Sequence, residues 1–366
     1  MHILEFRLEH AARPLTDAWQ LIPIKPRHSA LLGISFRPLQ ASGFNLDVHD
    51  TLRQLLAYPF QIIRLGAYWD RMEPVEGTFY PDELDLEIDL AEKAGKKIIL
   101  CIGPLKTFGY PEFFVPGFLL HQPFPEHQLV KPSAYPLLLE AATRHIVRLV
   151  ERYRQRECLL AWQLEHEAVD PLGMEHSWRL ATAFVEREAE TLRQADPTRP
   201  VLLNGFLPTS WPVRFTQWWN TRGQGDSLAV ARQLADIIGI DYYPRHALFS
   251  LGSRTLYLDG SRGHWQWQRR RDWLAWAHAQ GKPLVVAEGQ AEPWEAVTTP
   301  PNPARLGMTS CLPEHLATNY NDWMGETRPG LGLYAYLFWG AEYWMLRRQG
   351  GDPSYLQAFA RILEHS

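Results

Sequence analysis

Eight short apolar runs recur along the chain, most of them followed by a stretch of helical periodicity, and this alternation leaves few folds open. The runs are 31–36 (LLGISF), 60–65 (FQIIRL), 97–103 (KIILCIG), 158–164 (CLLAWQL), 200–204 (PVLLN), 236–241 (DIIGID), 283–288 (PLVVAE) and 333–338 (LYAYLF). Apolar runs of this length, without polar alternation, suit strands buried on both faces, as in a parallel sheet covered by helices. Helical patterns fill the intervals: 47–57 opened by Asp47, 82–94 closed by Gly95, 133–155 with Ser133 as cap, 175–195, 267–280 ending at Gly281, and 353–364. Short antiparallel connections are not evident, so the expected sheet is all parallel, and eight such units close a (β/α)8 TIM barrel.

The length of 366 residues is compatible with one such barrel, since about 250 residues plus insertions make a single domain. The expectation is one catalytic domain over 1–366, with 1–30 an N-terminal extension packing on the barrel. The least clearly written interval is 206–235. Segments 104–132, 206–235 and 289–311 follow strands three, five and seven and are the expected long loops. Loops after the strands form the functional face of this fold, so they are candidate substrate walls.

Hydrophobic residues make up 46% and charged residues 21%, enough apolar surface for a large core. A net charge of -4 gives no basic footprint for nucleic acid. No apolar run reaches membrane-spanning length, and no basic segment followed by an apolar stretch opens the chain, so a cytoplasmic location is expected. Three cysteines, Cys101, Cys158 and Cys311, are too few and too scattered for a disulfide framework or a zinc site; Cys101 and Cys158 read as buried thiols. No cofactor and no metal is expected. The chain carries 15 Trp. About two-thirds of them are expected to fill the core, the rest being free to offer flat faces to sugar rings.

Barrel enzymes carry their functional groups at the C-terminal ends of strands. Strand two ends in Arg64, followed by Tyr68, Trp69 and Glu73. Strand four runs into Glu165-His166-Glu167, strand six into Asp241-Tyr242-Tyr243, strand seven into Glu288, and strand eight into Trp339 and Glu342. Two carboxyl groups facing one bowl suit acetal hydrolysis, in which one protonates the leaving oxygen while the other attacks or supports the anomeric carbon. Each glutamate alone reads more readily as a structural ion pair or an exposed loop residue; two of them with Arg, Tyr and Trp at other strand ends point to function. Strand alternation places Glu165 and Glu167 on one face, with Glu165 deeper as an interior hydrogen-bonding group. Glu73, Glu292 and Glu342 can touch substrate or pair with a base.

These stretches resemble glycoside hydrolase clan A. Leu65 to Gly77 is similar to the "W-x-x-x-E-P-x-x-G" stretch after strand two of the family forty-two β-galactosidases and relatives of the family five cellulases. Trp162 to Glu167 is similar to their "W-Q-x-D-N-E" motif, and Glu288 with Gln290 to Trp294 to the nucleophile strand. Phe338-Trp339-Gly340 resembles the sugar platform of strand eight. The resemblance implies a retaining β-glycosidase acting on an oligosaccharide or β-glycoside, with Glu167 as acid/base and Glu288 as nucleophile. It implies Arg64 and Tyr243 as holders of Glu288, Trp339 as floor of the first subsite, and Trp69 as a further substrate contact. His166 stands where the clan has Asn; it is read either as a donor to the sugar 2-hydroxyl or as a neutral residue behind the site.

Three other classes are weighed. A carbohydrate-binding barrel without turnover draws on His166. A metal-dependent barrel hydrolase requires His-x-His after strand one, where this chain has Ser35-Phe36-Arg37-Pro38, and His121 and His127 in one loop lack strand-end carboxylates. An interaction scaffold built on the Trp-rich stretch 208–267 predicts an exposed apolar patch.

Overall fold

The computed structural model describes residues 5–10, 17–120, 124–170, 178–221, 226–251, 254–260, 263–293, 310–327 and 331–366. Most of the expected loop 289–311, the loop residue His121 and parts of the N-terminal extension lie outside the described residues. Eight parallel strands form a closed barrel: β1 (Leu31–Ser35), β2 (Ile62–Gly66), β3 (Lys97–Cys101), β4 (Leu159–Gln163), β5 (Val201–Phe206), β6 (Ile237–Tyr242), β7 (Leu284–Gln290) and β8 (Ala335–Trp339), in that order around the ring. The fold class read from the alternating runs is the one observed. Every residue of β2, β6, β7 and β8 is buried, which is why these strands lack polar alternation.

Local chemistry sets most helix boundaries. Asp47 caps Val48–Leu56 by accepting the Asp50 N–H at 2.7 Å. Gly95 (φ +70°) and Gly281 (φ +63°) follow the helices Asp82–Lys93 and His264–Ala279 in the left-handed conformation that glycine adopts most easily. The helix expected from Ser133 begins three residues later, at Pro136. Proline suits the first turn, where its missing N–H costs nothing, and it disfavours helical geometry in the residue before it. The helix expected over 175–195 is Thr182–Ala195, preceded by a two-residue strand Arg179–Leu180 that pairs with Leu129–Val130. The obscure stretch 206–235 contains two helices, Trp211–Thr221 and Ser227–Leu234, the second capped by Asp226. The first exposes Trp211, Phe215, Trp218 and Trp219.

The barrel sheet is all parallel as expected, but the expectation that short antiparallel connections are absent is corrected after β6. Strands Arg245–Leu251 and Arg254–Asp259 pair antiparallel, and Glu5–His10 adds to them in the register Glu5↔Asp259 to His10↔Arg254. The signal was present as two β-prone runs around Gly252-Ser253, a hairpin pattern. Of the extension, Trp19 is buried, and backbone carbonyls of Ile22, Pro23 and Lys25 accept hydrogen bonds from Arg361, Asn321 and Tyr320.

The chain divides into two compact units, Met1–Ile62 with Leu207–Arg214 and Ile240–Ser366, and Ile63–Phe206 with Phe215–Gly239. The first is built around β1, β7 and β8, with Phe338 packed among Tyr320, Tyr336, Trp344 and Phe359. The second is built around β3, β4 and β5, and in it helix Pro136–Tyr153, packed on helix Thr182–Ala195, buries Leu138, Ala142, Ile146, Leu149 and Val150, one stripe at helical spacing. All three cysteines are buried thiols. Among the described residues no helix is long and apolar enough to cross a membrane.

Candidate active site

Glu288 sits near the end of β7, where the pairing with β8 shifts between Val286 and Gly289. The extra residue is a bulge, a device that re-aims side chains at the rim of a sheet. A Cβ on Gly289 would lie 2.3 Å from the Tyr336 hydroxyl, so only glycine allows the strand to pass there. Glu288 is 2% exposed, and the Tyr243 hydroxyl donates to its Oε2 at 2.5 Å. The segment carrying Tyr243 is tied to β7 by Gln290, whose side chain accepts the Arg245 N–H at 3.3 Å and donates to the Arg245 carbonyl at 3.2 Å.

Next to β8 in the same unit, Arg37 donates to both oxygens of Glu292 (2.7 and 2.8 Å) and, through Nε and Nη2, to Glu342 Oε2 (3.0 and 2.7 Å). Its backbone N–H reaches Glu342 Oε1 at 2.6 Å. Burial works to lower the Arg37 pKa, but the two carboxylates outweigh it and leave it raised. Glu292 and Glu342 therefore take the ion-pair alternative, with Arg37 as the base. The Arg37 guanidinium lies 4.3 Å from the centroid of the Trp339 ring, so the expected platform has a cation on one face.

In the second unit, β4 ends at Gln163, and the backbone then turns sharply. Glu165 (φ +37°) and Glu167 (φ +42°) both occupy the left-handed region, rare for residues with a Cβ. Strand alternation therefore does not extend to them, and their common face is not what separates their roles. Glu165 Oε1 accepts the Leu105 N–H at 3.0 Å and Oε2 the Lys106 N–H at 2.5 Å. Its carboxyl is buried near that of Glu188. Burial raises both pKa values, and the charge of Glu165 holds Glu188 further up. Glu165 is the interior hydrogen-bonding group expected. Its fit depends on Gly103, where a Cβ would stand 2.2 Å from the Glu165 nitrogen.

Glu167 is 4% exposed. The buried Lys106 ammonium donates to the carbonyls of Glu167 (2.8 Å) and Asp170 (2.9 Å), pinning the turn from below. Beside it, four side chains make a closed ring. Arg64 Nε donates to Gln163 Oε1 (2.6 Å), Gln163 Nε2 to Asn204 Oδ1 (2.9 Å), and Asn204 Nδ2 faces His166 Nδ1 (2.9 Å). Arg64 Nη2 faces the same His166 nitrogen at 3.3 Å. Burial, then the charges of Arg64 and Lys106, lower the His166 pKa well below its ordinary value.

The structure brings some of the expected site residues together. Tyr243 and Glu288 are brought together, as are Arg64 and His166. Trp69 is placed elsewhere: it is buried, stacked on His145 at 5.0 Å, and its Nε1 donates to Glu73 Oε2 at 2.9 Å. Glu73 Oε1 accepts the Gly77 N–H at 3.1 Å, and Gly77 has φ +78°. The Trp-Glu-Gly motif after β2 is therefore a self-bonded turn, and the ring of Trp69 is packed into the core. Gln163, Asn204, Lys106 and Arg37 had no assigned role from sequence. Asn204 carried a readable signal, since a polar side chain inside an apolar strand must find partners when buried.

No family model matches the sequence, and no curated protein matches it. The structure is similar to that of xylanase 10B from Thermotoga maritima, with a TM-score of 0.53 and 14% identity over 92% of this chain and 96% of that one. It is similar to GH5_18 from Streptomyces cattleya, solved in complex with Manβ1-4GlcNAc, with a TM-score of 0.55 and 14% identity over 85% and 70%. It is also similar to a β-galactosidase from Rahnella sp. R3, with a TM-score of 0.50 and 15% identity over 87% of this chain and 51% of that one. The fold is accordingly the (β/α)8 barrel found in clan A glycoside hydrolases.

Proposed function

We propose that the protein is a retaining glycoside hydrolase that cleaves β-glycosidic bonds of an oligosaccharide or β-glycoside by double displacement. The observation that carries the reading is the Tyr243–Glu288 hydrogen bond at the bulged end of β7. It orients a carboxylate at the functional end of a barrel strand. In the first step the Glu288 carboxylate attacks the anomeric carbon while Glu167 gives its proton to the departing oxygen. In the second, Glu167 takes a proton from water, the water oxygen attacks the same carbon, and Glu288 leaves as carboxylate with the configuration retained. Arg37, Glu292 and Glu342 hold the rim, and Trp339 offers its ring to the sugar. The similarity in fold to a xylanase and a β-galactosidase supports a carbohydrate substrate. The test is a panel of aryl β-glycosides with the product anomer read by NMR. Release of the β-anomer first is expected; first release of the α-anomer would overturn the retaining mechanism.

One observation favours a second reading, a barrel that binds carbohydrate without cleaving it: His166 replaces the Asn expected beside the acid/base. Calorimetric binding of the same glycosides with no release of aglycone would establish it.

A further inference from the structure

The direction of every hydrogen bond in the ring of Arg64, Gln163, Asn204 and His166 follows from donors that can never accept. A guanidinium has no acceptor, so Arg64 Nε makes Gln163 Oε1 the acceptor and turns the Gln163 amide toward Asn204. Asn204 Oδ1 must then accept from Gln163 Nε2, and it also lies 3.4 Å from the backbone N–H of Glu167, another obligate donor. Both contacts orient Asn204 with its NH2 toward His166 Nδ1. Arg64 Nη2, again only a donor, faces that same nitrogen. Two donors converge on Nδ1, so it holds its lone pair, and the imidazole proton resides on Nε2.

We propose that His166 is a specificity-determining residue with a locked tautomer. Arg64 and Asn204, as positioning residues, keep the proton on Nε2, so the side chain presents one N–H and no acceptor. Nε2 stands 3.9 Å from Glu167 Oε2, on the side of that carboxylate. A substrate atom that meets this nitrogen must therefore be an acceptor: a hydroxyl, ether or amide-carbonyl oxygen. An Asn at this position would offer both a donor and an acceptor, so the histidine narrows what the site takes. A second proton on the ring would point at the Arg64 guanidinium, whose charge, after burial, is among the causes that lower the His166 pKa. The substrate half of the proposal rests on the glycosidase reading; the tautomer half does not.

The tautomer is read directly by long-range 1H–15N NMR of protein labelled at its histidines, with His166 assigned by the signal lost in His166→Gln. An unprotonated Nδ1 and a protonated Nε2 at neutral pH are expected. A proton on Nδ1, or an imidazolium, would overturn the proposal whether or not the protein hydrolyses anything. Asn204→Asp places a pure acceptor against Nδ1 in nearly the same shape. It should draw a proton onto Nδ1 and lower kcat by at least about tenfold, with KM changed less, as expected for a contact that strengthens in the transition state. The same substitution in a His166→Phe background should cause no further loss, because Asn204 acts through the imidazole. Additive losses, or an unchanged tautomer in Asn204→Asp, would refute the lock. An unlocked tautomer in wild type faults this inference, whereas a locked tautomer in a protein that cleaves no glycoside faults only the proposed function.

Discussion

Tyr243 donates its hydroxyl to Glu288 Oε2 at 2.5 Å, and both side chains are more than nine-tenths buried. A short bond from a phenol to a carboxyl oxygen fixes the orientation of the acid. Tyr243→Phe keeps the ring and removes only this donor. A fall in kcat of about ten- to a hundredfold is expected, with KM little changed and the far-UV circular dichroism unaltered. Kinetics indistinguishable from wild type would separate Tyr243 from the reaction.

The assignment of Glu167 over Glu165 rests on bonding. Both oxygens of Glu165 are occupied by the backbone N–H groups of Leu105 and Lys106. Glu167→Ala should lose turnover of natural glycosides yet still form the covalent intermediate from aryl glycosides with activated leaving groups, which need no proton. Azide should then restore turnover by entering the vacated space and yield a β-glycosyl azide. Azide rescue of Glu165→Ala, with none for Glu167→Ala, would reverse the assignment.

The stability of the fold should depend on Glu87, buried in helix Asp82–Lys93. Burial, aided by the charge of Glu83, raises its pKa from an ordinary 4.5 to about 8. The folded state favours the protonated acid, so this contribution is complete below about pH 4.5 and is lost as pH rises toward 8. One proton gives a slope of at most about 1.4 kcal/mol per pH unit. Glu87→Gln should reduce the drop in Tm between pH 5 and pH 8, measured calorimetrically. An unchanged difference would show that Glu87 is ionised in the native protein.

The barrel was legible because burial on both faces leaves a strand no choice but to be apolar. All eight runs became strands, with ends shifted by one or two residues. Glu165 was legible as an interior group, although for a reason different from strand period. What escaped was set by long-range partners or by local turns. Trp69 read as a substrate contact because an aromatic after a strand invites that role, yet its spacing to Glu73 is that of a helical i, i+4 pair. Arg37 and Glu292 lie far apart in the chain, and their ion pair has no local signature. Asn204 was visible as a polar residue in β5, but its partners come from β4 and the turn after it, which only the pairing of these strands supplies.

The left-handed backbone at Glu167 bears on durability. A side chain with a Cβ held in that region costs roughly 1–2 kcal/mol, and the protein carries that strain at the residue proposed to transfer protons. Asparagine tolerates the same backbone far better. Glu167→Asn is therefore expected to give up turnover and melt a few degrees higher than its parent, as measured by scanning calorimetry. Selection for thermal endurance alone would drift away from glutamate here, and the variant would outlast its parent in storage.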